Sequence, residues 1–300
     1  KVRNYLEKYN NPLFFFDDDN DGLCSYILLR QYTKNGNGIP IKINPELNES
    51  YLNRVEEFRP DLVVILDKPL VAQEFIDKAK VPVIWIDHHP VVKRENVIYL
   101  NPKLHNENEV SSTTYWCYKI ANGKLWIAVV GAVSDWTIPD YFEEFKKRYP
   151  DLVENRKTPP ELLYASKLGE LCRILSFLTK GRTGEVNKNI KKILLIDEPY
   201  DILDKKTKDG KLLFEQAEKI NKEYKSILSR ALKVKKDRNV LVFTYKSDEL
   251  SLTADLSNEL LYRNPGNVII VARENEGNMR ISIRGDDIKV KNILEKVIKK

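Results

Sequence analysis

Three short segments place acidic and imidazole side chains where buried apolar runs come to an end: FFFDDDNDG at 14–22, VVILDKP at 63–69 and VIWIDHHP at 83–90. A fourth, VVGAVSDW at 129–136, closes on a single aspartate. Carboxylates gathered in one place repel one another unless cations neutralise them, and oxygen ligands of this kind suit hard divalent ions. Asp17, Asp18, Asp19, Asp21, Asp67, Asp87 and Asp135, with the two histidines His88 and His89, therefore form a candidate metal-binding cluster, about six or seven of which would be ligands. A single structural ion does not need so many carboxylates, whereas two cations roughly 3.5–4 Å apart, hydrolysing a substrate together, would use them all.

The Asp87-His88-His89 run is the sharpest of these signals. The chain has three histidines, and two of them stand side by side at the end of an apolar run. One imidazole can ligate a metal while a carboxylate orients a ring, so three consecutive residues supply ligand, orienter and phosphate contact. Asp67, Asp87 and His89 are accordingly the candidate catalytic groups. His105, in the loop NPKLHNEN, lacks such a context and is expected to be exposed. Segment 17–22 also resembles a calcium loop of the EF-hand type, but the twelfth position would be Leu28 instead of glutamate, and a strand-like run precedes it. Taken alone, Asp67 and Asp135 would read as caps or loop carboxylates; it is their company that changes the reading.

The elements that must position these groups alternate along residues 1–205. PLFFF (12–16), DLVVIL (61–66), VPVIWI (81–86) and NVIYL (96–100) are short, continuously apolar and rich in β-branched residues, and helical stretches such as LCSYILLRQYTK and VAQEFIDKA separate them. That pattern predicts an α/β fold whose parallel sheet has helices on both faces, with the site beyond the C-terminal strand ends. KLWIAVVGAVSD (124–135) reads as a buried helix in which Ala128, Gly131, Ala132 and Ser134 permit close packing, and ELLYASKLGELCRILSFL as one amphipathic helix. A long charged helix over 212–233 then acts as a rigid connector. Beyond it NVLVFTY, NVIIVARE and NMRISIRG predict a small sheet, with helices at 253–262 and 287–299.

Composition points to a two-domain globular protein: 300 residues, 42% hydrophobic and 31% charged. No apolar run reaches the ~18 residues of a membrane span, and no signal peptide is visible, so no membrane partner and a cytoplasmic location are expected. Cys24, Cys117 and Cys172 lie in apolar surroundings without CxxC spacing, which argues against a disulfide framework and a zinc site. Residues 209–300 hold 19 Lys/Arg against 14 Asp/Glu, a net of +5, while residues 1–208 carry +1. Solvated helix faces explain such a balance as well as attraction of an anionic polymer does.

In combination the DxDxDG run, the strand ending in Asp67, the Asp87-His88-His89-Pro90 motif and the Gly131-to-Trp136 motif resemble the DHH phosphoesterase superfamily, and within it the archaeal RecJ-like proteins. MRISIRG (279–285) is similar to the SxR element of the DHH-associated domain. The resemblance implies a DHH catalytic domain over 1–208, a connecting helix over 209–236 and a substrate-binding domain over 237–300. It implies two Mn2+ or Mg2+ ions, with Asp19 and Asp67 holding one and Asp21, Asp67, His88 and Asp135 the other. Asp67 would bridge them, and His89 would lie near the scissile phosphate.

Three departures accompany the resemblance. Asp17 stands where the family usually has His, Lys68-Pro69 where it tends to have a small residue, and the glycine-rich GGGH element is absent, with DDIKVKNILEKVIKK in that region. Arg284, Arg280 and Ser282 are then the remaining candidates for binding phosphate. The reading that follows is an exonuclease on single-stranded DNA, RNA or short oligonucleotides. A phosphoesterase acting on a cyclic dinucleotide, nucleotide bisphosphate or pyrophosphate is the alternative, and a weakly active or inactive RecJ-like scaffold in a replication or repair complex is a third.

Overall fold

Phe14, Phe15 and Phe16 have no exposed surface, although consecutive strand residues point to opposite faces of a sheet. Both faces must therefore be covered. The computed structural model describes residues 1–41, 46–246, 250–275 and 277–285. In it β1 (Pro12–Asp17), β2 (Asn37–Ile41), β4 (Leu62–Leu66), β6 (Val83–Ile86) and β7 (Ile98–Leu100) form a sheet of order β2-β1-β4-β6-β7 in which every pairing is parallel. β3 (Glu46–Leu47) and β5 (Leu70–Val71) make a separate short parallel pair. Phe14 and Phe16 pack towards the helices Asn20–Thr33, Thr113–Ala121 and Leu125–Ser134. Leu13 and Phe15 pack on the other face with Val55 and Phe75, from the helices Leu52–Phe58 and Gln73–Lys78.

The small-residue helix forms as its composition predicts, over Leu125–Ser134. A Cβ on Gly131 would lie 2.2 Å from Thr114 Oγ1 and 2.8 Å from Cys24 Cβ, so glycine is what lets three helices meet there. The segment read as one helix over 161–178 is two, Pro159–Ala165 and Lys167–Leu178. Ser166 breaks it: its backbone is extended, and its hydroxyl accepts the Gly169 N–H at 3.2 Å. Periodicity continues through a serine cap, which is why it did not reveal the break. β2 was not anticipated because Pro40 interrupts it, and an edge strand tolerates proline.

The long charged helix runs from Lys208 to Leu232. It is a packing element more than a spacer, since Leu213, Ala217, Tyr224 and Ile227 are buried along it. The smaller C-terminal sheet contains β8 (Val240–Lys246), β9 (Val268–Asn275) and β10 (Asn278–Arg284) in the order β10-β9-β8. β8 and β9 are parallel, joined through the helix Thr253–Arg263, and β10 returns antiparallel. The expected helix at 287–299 lies outside the described residues. No helix among the described residues is long and apolar enough to cross a membrane.

One contact ties the fold directly to the acidic loop. A Cβ on Gly22 would fall 2.4 Å from the carbonyl oxygen and 2.7 Å from the nitrogen of Asp17, both backbone atoms that cannot swing aside. Gly22→Ala should therefore destabilise the protein by about 1–3 kcal/mol and weaken its affinity for Mn2+. Denaturant unfolding and a metal titration on the same preparation test this, and unchanged values for both would refute the packing argument.

Candidate metal centre

Because the strands of the main sheet run in one direction, β1, β4 and β6 end on the same edge. β1 closes on Asp17, β4 leads into Asp67, and β6 leads into Asp87, His88 and His89. Asp67 turns the chain there with a left-handed backbone, φ +58°. The chain enters the Asn20–Thr33 helix directly after β1, so Asp19 caps it, with Oδ1 accepting the Gly22 N–H at 3.0 Å. Asp135 arrives from the opposite side at the C-terminus of the Leu125–Ser134 helix.

Asp21 is held by residues that sequence reasoning passed over. Its Oδ2 and Oδ1 accept the backbone N–H groups of Thr113 and Thr114 at 2.8 and 2.7 Å, at the start of the Thr113–Ala121 helix. A helix N-terminus offers unpaired donors and the positive end of the peptide dipoles, which is where a buried carboxylate is stabilised. The Thr113 hydroxyl also donates to Asp67 Oδ1 at 3.1 Å. The readable signal was the SSTT run at 111–114, since Ser112 caps this helix by accepting the Tyr115 N–H.

His88 stands among the carboxylates. Its Nε2 lies 3.4 Å from Asp67 Oδ1 and 3.8 Å from Asp21 Oδ2, and its Nδ1 lies 3.6 Å from Asp135 Oδ2. Ligating atoms of Asp21, His88 and Asp135 all lie within 4.8 Å of one another, as do those of Asp17, Asp19 and Asp67. Asp67, also grouped with His88 and His89, stands between the two sets. The candidate ligands Asp17, Asp19, Asp21, Asp67, His88 and Asp135 therefore converge.

Burial, followed by the charges of neighbouring aspartates, keeps these carboxyls protonated well above their ordinary range in the ion-free protein. Asp67 is raised strongly, with Asp21 as the largest neighbouring charge, and Asp135 rises to about 8, again with Asp21 as its main neighbour. Asp19 remains open to solvent on one side, yet desolvation and the charges of Asp17 and Asp21 raise it to about 7. The adjacent histidines shift in opposite directions. Burial lowers His88, keeping a neutral nitrogen available as a ligand. His89 is raised because, against the burial that opposes its charge, Nδ1 donates to Asp87 Oδ1 at 2.7 Å. Asp87 is fully buried and also accepts the Asn101 side-chain amide at 3.3 Å.

These donors are hard oxygens with one imidazole, and the cysteines are free, buried and outside the ligand groups. The set can hold divalent cations of the Mn2+ or Mg2+ kind. One cation is already present: Lys68 places Nζ 3.0 Å from Asp17 Oδ1 while its side chain is only 3% exposed. The Trp85 indole N–H donates to the Lys68 carbonyl at 2.9 Å and fixes the backbone there.

A cleft of about 550 Å³ opens beside the acidic cluster, lined by Asp19, Asp21, Asp135 and Trp136 together with Arg173, Lys180 and Arg280. Arg173 pairs with Glu259 at 3.3 Å and Lys180 with Asp255 at 3.0 Å, so much of the positive charge in the cleft is neutralised. Arg280 has no ion pair among the described residues. Arg284 is half-buried, donates to Asn258 Oδ1 at 2.7 Å, and is not among the residues that line the cleft. Ser282 shares a hydroxyl hydrogen bond with Ser257 at 2.9 Å. His105 is exposed, as expected.

Residues 13–147 match the DHH family, N-terminal domain, and that span contains every residue of the acidic cluster. The chain carries a DHH-family domain. Its fold is similar to that of exonuclease RecJ bound to manganese, at 12% identity and TM-score 0.62, covering 98% of this chain and 84% of the other. It is also similar to CDC45 from Entamoeba histolytica, at 12% identity and TM-score 0.57 over 99% of this chain and 89% of the other. A third similarity is to a pGpG-specific phosphodiesterase from Vibrio cholerae, at 17% identity and TM-score 0.51 over 96% and 88%. No curated protein matches the sequence of the chain.

The raised carboxyls of the DHH domain give a pH dependence with a definite sign. Their contribution to the stability of the ion-free protein is fully present below the ordinary carboxyl value of 3.8 and is lost as pH rises through about 7 for Asp19 and about 8 for Asp135. The melting temperature of chelator-treated protein should fall across that window, and saturating Mn2+ should lessen the fall. Affinity for Mn2+ should increase with pH over the same window, with protons released on binding. Calorimetry in buffers of different ionisation enthalpy measures that release, and zero release near neutral pH would contradict the assignment.

Proposed function

We propose that the chain is a metal-dependent phosphodiesterase acting on the ends of single-stranded DNA, RNA or short oligonucleotides, with two Mn2+ or Mg2+ ions. The observation that carries this reading is the placement of Asp67 between the two ligand groups, whose members Asp19, Asp21 and Asp135 also line a cleft shared with Arg280. Bound divalent ions would acidify a water and offset charge developing on the phosphoryl oxygens. Asp67 positions both subsites, and the Thr113 hydroxyl keeps its carboxylate in place. Asp87 favours the protonated form of His89, and in that form the second ring N–H can donate to a non-bridging phosphate oxygen. Trp136 is 41% exposed on the cleft wall and offers a face on which a base can stack.

Two features favour a small substrate as the second reading. The cleft has the size of a small-molecule site, and Glu259 and Asp255 cancel two of its cations. The similarity to a pGpG-specific phosphodiesterase agrees with a dinucleotide. CDC45 shows that the fold also occurs in a protein with no enzyme activity in its name, but the ligand set assembled here supports an enzyme.

End-labelled single-stranded DNA and RNA and a 5′-phosphorylated dinucleotide, each with Mn2+ or Mg2+, discriminate among these readings. Asp67→Ala should reduce hydrolysis more than tenfold, and retention of more than a tenth of the activity would remove the two-ion assignment. If strands are the substrate, affinity should fall steeply between low and physiological salt, and Arg280→Ala should flatten that dependence while leaving Mn2+ affinity unchanged. A shallow salt slope with rapid dinucleotide turnover selects the small substrate.

A further inference from the structure

Lys68 is a buried lysine at the edge of a group of ligating carboxylates. Its side chain is 3% exposed and its Nζ lies 3.0 Å from Asp17, whose carboxylate shares a group with Asp19 and Asp67. An ammonium ion so placed does part of what a metal ion would do there, neutralising one of three converging carboxylates and occupying a lone pair of Asp17. The group formed by Asp21, His88 and Asp135 contains no lysine or arginine paired to any member among the described residues. Residue 68 is fixed by its chain position, directly after the left-handed Asp67 and with its carbonyl held by Trp85.

We propose that Lys68 is the resident cation of the Asp17–Asp19–Asp67 subsite and makes the two divalent-ion subsites unequal. The proposal rests on the metal-dependent reading above and deepens it. The first ion binds at the subsite containing His88, where the nearest lysine, Lys103, donates to the His88 backbone carbonyl at 2.6 Å and is ion-paired to none of the ligating carboxylates among the described residues. The second enters a subsite where one carboxylate is already paired and a positive charge stands beside the ion. The wild-type protein should therefore hold one ion tightly and fill the second subsite only at higher concentration. The lysine thus sets the ion concentration at which the two-ion form is reached.

The experiment is titration of chelator-treated full-length protein with Mn2+ alone. Calorimetry reads stoichiometry and affinities, and electron paramagnetic resonance detects the coupled spectrum of two neighbouring Mn2+ ions. Wild type should give one tight and one weaker site. Lys68→Met, of similar length but uncharged, should tighten the second site on the order of tenfold or more and leave the first within about twofold, with the coupled signal appearing at lower Mn2+. Lys68→Arg keeps the charge and should behave as wild type. If Lys68→Met proves unfolded by circular dichroism, Lys68→Gln serves as the neutral variant. Equal affinities at the two sites of the wild type, or neutral variants whose second site is no tighter, would overturn the proposal. Absence of any Mn2+ binding to wild type would instead overturn the metal-dependent reading, which separates the two failures.

Discussion

Mutual repulsion among carboxylates that the sheet delivers to one edge is the constraint that organises this structure. Three parallel strands cannot end together on Asp17, Asp67 and Asp87 without bringing like charges close, and the chain answers each with a different device. Asp21 receives the open amides of a helix start, Asp67 a threonine hydroxyl, Asp87 an imidazole N–H and an asparagine amide, and Asp17 the ammonium of Lys68. Asp19 and Asp135, which cap helix ends at the cleft, are shifted towards their protonated forms, up to about 7 and about 8. The glycine at position 22 follows from the same requirement, because the loop carrying these residues doubles back onto the backbone of Asp17.

The helix Thr253–Arg263 of the C-terminal unit shares an apolar core with the rest of the protein and adds polar contacts to it. Glu259 is 2% exposed and accepts from Tyr224 at 2.6 Å, from Arg173 at 3.3 Å, and from Arg263 at 2.6 and 2.9 Å, so one carboxylate joins three helices. Asp255 adds contacts to Ser176 at 3.1 Å and Lys180 at 3.0 Å. A buried charge with several partners is costly to break, because removal of one partner leaves the others desolvated and unpaired. The cleft between the sheet edge and the C-terminal helix is thus framed by fixed contacts, and the ions it would use for substrate are partly committed to holding its walls.

Much of the centre was legible because its signal is local. A run of apolar β-branched residues followed by Asp or His states both the strand and where its functional end lies, which is why Asp17, Asp67 and the Asp87-His88-His89 run were found together with the parallel sheet. The contacts that hold those residues are not local. Asp21 and Thr113 are 92 positions apart and Lys68 and Asp17 are 51 apart, and no periodicity marks such pairs. Ser166 escaped notice for a different reason: a serine fits a helix pattern as a polar residue and ends one as a cap, and only the backbone decides. The basic balance of residues 209–300 is no guide to the cleft, because the cleft cations Arg173 and Lys180 lie outside that span and are paired with Glu259 and Asp255, contacts that no charge count reveals.

The Asp17–Lys68 pair limits how this protein can change by single substitutions. Replacing the lysine alone leaves an extra anion in an already crowded cluster, and replacing the aspartate alone leaves a nearly inaccessible ammonium without that partner. Either intermediate carries a desolvated charge that the fold must absorb, so a descendant with a different residue pair is reached across a fitness valley unless a bound cation or a stabilising change elsewhere bridges the step. Two positions far apart in the chain, one closing β1 and one in the turn after β4, are in this sense inherited as one character.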